Sequence, residues 1–203
     1  NRGSSLWLAR HLTGRGFDVL AYDSRAHGDS GGEACSYGFH EKRDLHRVLD
    51  TIAVRPIVLL GHSMGAAIAL QAAANEPRVA AVVAVASISD LRTAATERAP
   101  FFASRGNIEE ALRIAEQQGK FRADEVSPVA AARQLRVPVL VIHGERDDET
   151  PADHSRRVFA ALPATTPKRL LIVPGGGHGD ALNADTWREV DRWMDALFPP
   201  GPP

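Results

Sequence analysis

Gly61-His62-Ser63-Met64-Gly65 sets a serine between two glycines, directly after the apolar run Ile57-Val58-Leu59-Leu60 and directly before Ala66-Ala67-Ile68-Ala69-Leu70-Gln71-Ala72. That order reads as strand, one sharp turn and helix, the context in which a serine is presented as a nucleophile. The turn strains the serine backbone, and glycine is expected on both sides because a Cβ there would crowd it. Met64 would open the helix, so its backbone N–H is the expected donor to an oxyanion, aided by the helix dipole. By chance G-x-S-x-G arises in roughly one chain in fifteen of this length. The weight therefore falls on the flanking elements and on partners elsewhere in the chain.

A serine hydroxyl is a poor nucleophile until a base takes its proton, and the base works best when a carboxylate fixes its tautomer and stabilises its charge. In a parallel sheet such groups meet where strand C-termini share one edge. Two stretches qualify. His143-Gly144-Glu145-Arg146-Asp147-Asp148-Glu149-Thr150-Pro151 follows the run Val139-Leu140-Val141-Ile142, and Pro174-Gly175-Gly176-Gly177-His178-Gly179-Asp180 follows Leu170-Leu171-Ile172-Val173. His178 is the expected base, because the glycines before it make a mobile, close-fitting loop. For the acid, Asp147 and Asp148 compete, with Glu145 and Glu149 behind them, and spacing alone leaves neighbours level. The chain order is then Ser, Asp, His.

The remaining histidines read differently. His62 and His143 are expected to pack, His27 lies in a loop on the same rim within reach of a substrate, and His11, His40, His46 and His154 fall on helices or their starts. No pair of them has ligand spacing in a convincing context, so neither a catalytic metal nor another cofactor is expected.

The elements that must hold these groups alternate between strand and helix. Ser4 or Ser5 caps a helix carrying Leu6, Trp7, Ala9 and Leu12, which Gly14 and Gly16 stop. Val19-Leu20-Ala21-Tyr22 reads as a strand, residues 23–32 as a loop, and about Phe39 to Ile52 as an amphipathic helix. Val79 to Val85 reads as a buried strand. From Ser89 to Val137 no strand-like run occurs, only helical segments, and a gap of about fifty residues is far longer than an ordinary connection. One α/β domain over 1–203 with a helical cap inserted at about 89–137 is the expected organisation. Pro199 to Pro203 reads as a tail.

Composition narrows the class. The chain has 203 residues, 44% hydrophobic and 24% charged, which suits one soluble globular domain. Net charge is −1, which argues against a nucleic-acid surface or a polybasic membrane anchor. No apolar run reaches membrane-spanning length. Cys35 is the only cysteine, which favours a reducing, cytoplasmic setting.

Taken together these segments resemble the α/β-hydrolase superfamily over nearly the whole chain. Tyr22 to Ser30 is similar to that family's loop after its fourth strand, Gly61 to Gly65 to its elbow, His143 to Pro151 to its acid turn, and Pro174 to His178 to its base loop. The family's acid turn, H-G-x-x-D-x-x-V-P, puts the aspartate on Asp147, with Thr150 where the family has valine. The nearest flavour is the bacterial serine hydrolases with a small cap, described as esterases, lysophospholipase-like or serine aminopeptidase-like. Tyr37 to Asp44 is similar to a segment some of these carry.

The resemblance implies an α/β-hydrolase fold, a mostly parallel sheet flanked by helices. It implies a serine hydrolase cleaving a small carboxylic ester through an acyl-enzyme on Ser63, with Asp147 and His178 completing the triad. Thioesters and short peptides are the alternative substrates, and a non-catalytic binding protein is the alternative class. Phe101, Phe102 and Leu112 are candidates for an acyl pocket or for the cap's own core. Serine at 63 argues against the dehalogenase and epoxide-hydrolase branches, which use aspartate there. The family also has a strand ending in a His-Gly loop that supplies a second oxyanion N–H. Asn1-Arg2-Gly3 looks like the trailing edge of that loop, so at least one strand, central between those at Val19 and Ile57, is expected to precede residue 1.

Overall fold

Four of the apolar runs become parallel strands. The computed structural model describes residues 6–199. Strands β1 (Ile57–His62), β2 (Val79–Val85), β3 (Val139–Gly144) and β4 (Lys168–Val173) stand side by side in that order, each pair parallel. Parallel neighbours need a crossover, which the helices α3 (Met64–Ala73) and α7 (Asp153–Ala161) provide for β1–β2 and β3–β4. Before the sheet come α1 (Leu6–Gly14) and α2 (Glu41–Asp50), and after it α8 (Ala184–Leu197). Ser4 and Ser5, expected to cap α1, the segment Asn1-Arg2-Gly3 and residues 200–203 of the tail lie outside the described residues.

The period-two alternation of a strand divides the core into two layers. Leu59, Val82, Val139 and Val141 face α2, α3 and α7, packing with Leu45, Leu49, Ile68, Ala69, Leu70, Val158 and Leu162. Val83, Val85, Leu140 and Ile142 face the other way, towards Trp187, Val190 and Met194 of α8, with Leu8 and Leu12 of α1 against them. Because helices cover both faces, β2 and β3 are buried almost throughout and read as continuous apolar runs.

One expected strand is absent. Residues 19–22 belong to no ladder, and Leu20 is exposed while Tyr22 leans on the core. A strand exists by pairing: among the described residues β1 pairs only with β2, and nothing offers 19–22 a register. The helix expected from Phe39 to Ile52 is shorter, Glu41–Asp50, because Tyr37 and Gly38 carry positive φ and make a turn ahead of it.

Between β2 and β3 the chain forms α4 (Leu91–Arg98), α5 (Arg105–Gly119), a 3-10 turn (Ala123–Glu125) and α6 (Pro128–Ala132). The Asp90 side chain caps α4 at Thr93 N–H, and Ser104 with Asn107 forms a reciprocal capping box on α5. Leu91, Ala94, Leu112, Phe121 and Val126 bury one another above Ala67 of α3, with Tyr37 and Phe39 at the margin. Ala132 and Leu135 instead join the main core, so the end of this stretch belongs to the sheet layer. Among the described residues no helix is long and apolar enough to cross a membrane.

Candidate active site

Ser63 occupies the one-residue turn between β1 and α3, with φ 53° and ψ −118°. A non-glycine residue there is strained, and the surroundings hold it: Ser63 N–H donates to Val85 O of β2 at 2.8 Å, while Ser63 O accepts from Ala66 and Ala67 N–H of α3. The glycine requirement is one-sided. A Cβ on Gly61 would lie 2.2 Å from Gly65 O, whereas a Cβ on Gly65 would meet nothing within 4 Å. Met64 is the first residue of α3, so its N–H has no carbonyl one turn back to reach.

The acid turn and the base loop are stitched together by backbone. Glu145 N–H donates to Val173 O at 2.9 Å and Arg146 N–H to Gly176 O at 2.8 Å. Gly144 passes so close to the loop that a Cβ there would sit 2.4 Å from Gly176 O. That explains Gly144 as a matter of clearance, and the contacts pin the loop expected to be mobile.

These turns bring Ser63, His178 and Asp147 into one line. Asp147 Oδ2 lies 2.7 Å from His178 Nδ1, and His178 Nε2 lies 2.9 Å from Ser63 Oγ. The carboxylate can only accept, so Nδ1 carries the proton, and the bare Nε2 of the neutral ring accepts from the serine hydroxyl. Burial by itself would raise the Asp147 carboxyl, but hydrogen bonds from Thr150 N–H and His178, with the nearby imidazoles, outweigh it and hold the group below the usual carboxylate range. It therefore stays charged beside the His178 ring.

The other acidic candidates part company here. Asp148 and Glu149 are exposed at the turn, and Glu145 turns to accept from Gly175 N–H at 3.0 Å. His27 is anchored in its own turn, its Nδ1 2.8 Å from Arg25 O. Phe101 and Phe102 are exposed in the turn between α4 and α5, stacked edge to face with ring centres 5.5 Å apart, while Leu112 lies in the cluster beneath. Among the described residues no group of three or more His, Cys, Asp or Glu is placed to hold a metal ion.

Two histidines read as packing residues sit against the line. His62 Nε2 lies 2.8 Å from His178 O and tethers the base loop to the elbow. His143 is fully buried, 2.7 Å from Thr150 O and 3.1 Å from Asp147 Oδ2. Their adjacency to Ser63 and to the acid turn was visible in the sequence, but the direction of their rings was not. Thr150, standing where the resembling family has valine, accepts from Arg98 of α4 through its hydroxyl at 2.5 Å, and Arg98 also donates to Glu149 O at 2.6 Å.

Comparison with known proteins agrees with this architecture. The sequence pattern of the α/β hydrolase fold matches residues 2–107. The chain is 34% identical to the uncharacterized protein YqkD of Bacillus subtilis over 90% of its own length and 63% of that protein's. It is 31% identical to the mouse sn-1-specific diacylglycerol lipase ABHD11 over 95% of its own length and 65% of that protein's. The chain thus spans less than two thirds of each of these two relatives. Among solved structures, an esterase of Pyrococcus furiosus superposes with a TM-score of 0.72 at 21% identity, covering 94% of this chain and 74% of that one, a likeness of fold. With its elbow, its parallel sheet and this matching pattern, the chain belongs to the α/β-hydrolase fold family.

Proposed function

We propose that the protein is a serine hydrolase that cleaves a carboxylic ester through an acyl-enzyme on Ser63. The observation that carries the reading is the unbroken hydrogen-bonded line from Asp147 through His178 to Ser63 Oγ, at 2.7 and 2.9 Å. In this mechanism His178 takes the serine proton as Oγ attacks the carbonyl carbon, and Asp147 holds the ring and offsets its charge. Met64 N–H donates to the oxyanion of the tetrahedral intermediate. His178 returns the proton to the leaving alcohol, and water repeats the sequence to release the acid.

We assign α4, α5 and the 3-10 turn to a cap within the stretch 89–137. Phe101 and Phe102 then offer apolar surface to the acyl chain, and His27 reaches the substrate from the rim. A cytoplasmic setting suits the lone Cys35. An ester is favoured because an alkoxide leaves with less help from protonation than an amine; thioesters and short peptides form the control panel.

The test is intact-mass analysis of the full-length protein after a fluorophosphonate probe, beside Ser63→Ala. One adduct, lost in the variant and accompanied by ester turnover, is the expected result. A folded wild-type protein that takes up no probe and turns over no acyl substrate would overturn the reading.

A further inference from the structure

Asp147 carries more hydrogen bonds than the proposed triad uses. Oδ1 accepts from Glu149 N–H at 3.0 Å and Thr150 N–H at 2.7 Å, and Oδ2 from His178 at 2.7 Å. Against the fourth acceptor direction of the carboxylate stands His143 Nε2, 3.1 Å from Oδ2, with its single N–H directed to Thr150 O at 2.7 Å. Asp147 thus stands between two imidazoles, and the positive charge that develops in catalysis has two places to go.

The surroundings of His143 decide which. Its Nε2 lies 2.7 Å from Thr150 O, a carbonyl that can only accept, so that nitrogen bears hydrogen. Its Nδ1 lies 2.6 Å from Ser155 Oγ on α7, which donates if the ring is neutral. Burial pushes the His143 imidazole down from its ordinary range; the Thr150 carbonyl and Asp147 oppose this without reversing it, and His178 adds to the lowering. His143 also interacts electrostatically with the buried His154 of α7, itself paired with Glu97 of α4.

We propose that His143 is a positioning residue of the triad: a ring whose Nε2–H holds Thr150 O and faces the last open side of Asp147 Oδ2, so that the imidazolium forms on His178 alone. This rests on the triad reading above. Removing that N–H withdraws its positive dipole from Oδ2 and makes Asp147 a stronger partner for a charged His178. His143→Leu, close in bulk but without the N–H, then moves the acid limb of the kcat/KM profile up by about half a pH unit. It also lowers kcat roughly 10-fold with little change in KM, because the carboxylate is freer to turn. His143→Gln, whose Nε2 has the same reach, restores the limb and most of the rate.

A second measurement does not depend on either variant folding. In the wild-type full-length protein labelled with 15N-histidine, His143 shows the neutral Nε2–H tautomer across pH 5.5 to 8. A His143 that protonates within that window, or Leu and Gln variants with equal loss and an unmoved acid limb, would overturn the proposal. The fluorophosphonate adduct is read on the same samples. An adduct together with a protonated His143 removes this role alone, whereas a folded protein with no Ser63 adduct removes the triad reading and this role with it.

Discussion

The turns at the strand ends and the helical stretch between β2 and β3 are held in place by different means. Backbone does the work in the first: Ser63 hangs on Val85 O and α3, and the acid turn is sewn to the base loop through Val173 O and Gly176 O. Side chains do much of it in the second, where Arg98 reaches Glu149 O and Thr150, and Glu97 reaches His154 and Arg157 of α7. Backbone ties survive most substitutions and side-chain clips do not. The difference teaches that the proposed reacting atoms and the proposed substrate-facing surface are held by separate means in this molecule, so changes in one should leave the other largely intact.

The largest effects belong to the strand-end groups. Ser63→Ala should lower turnover by roughly 10⁴-fold or more with an unchanged circular dichroism spectrum. Asp147→Asn should cost roughly 10⁴-fold through the wrong tautomer of His178, while Asp148→Asn stays within a few-fold. Steady-state ester hydrolysis by the three variants decides it, and the reverse order of the aspartates would move the acid by one residue.

Glycines sharpen the contrast more directly. Gly144→Ala forces apart the two turns at a 2.4 Å approach and should lower kcat roughly 100-fold along with the melting temperature. Gly106, in the first turn of α5, has only Ser104 Oγ near, at 3.7 Å from a Cβ. Alanine there should leave kcat alone and hold or raise the melting temperature, by up to about 1 kcal/mol of stability. Equal damage at both positions, seen by thermal melts and initial rates, would break the distinction.

Substrate-facing changes should register in KM. Arg98→Ala frees the end of α4 from the acid turn, and Phe101→Ala with Phe102→Ala removes exposed apolar surface. Either should raise KM for long-chain esters several-fold, roughly the worth of a lost apolar contact, and leave acetyl esters and probe labelling little changed. A fall in labelling rate matching Ser63→Ala would show that the two regions are not separable.

The smallest effect is a pH dependence. Burial lowers the imidazole of His154 below its ordinary range despite Glu97, so the ring is neutral in the fold and accepts from Ser89 N–H through Nδ1. A folded value below the unfolded one means that this stability is present above about pH 6.5 and is lost as pH falls below it. Hydrogen exchange, corrected for its intrinsic rate, should therefore quicken at Ser89 and in α4 between pH 7.5 and 5.5, and not in β3. Acid-induced opening of β3 before α4 would contradict the clip.

Much of this was legible in the residues. Val79 to Val85 and Val139 to Ile142 are runs too apolar for anything but a covered strand, and the glycine before Ser63 announces a turn that tolerates no Cβ. What was not legible has a common cause. Residues 19–22 have strand composition, yet a strand is a relation between two segments and composition describes one. His143 and His62 show no periodicity that tells a packed ring from a hydrogen-bonding one.

The sequence by itself determined the order of the four paired strands, the turn that carries Ser63 and the loop that carries His178, because periodicity, backbone clearance and covalent adjacency act within a few residues. It narrowed the proposed acid to a five-residue turn and, through resemblance to a family pattern, to Asp147. Only the tertiary structure decided that Asp147 is shared by two imidazoles, that Thr150 answers to Arg98 from a helix 52 positions away, and that Gly144 needs its missing Cβ on account of Gly176. Direction and distance between remote side chains depend on how the sheet layers pack, which no local pattern encodes.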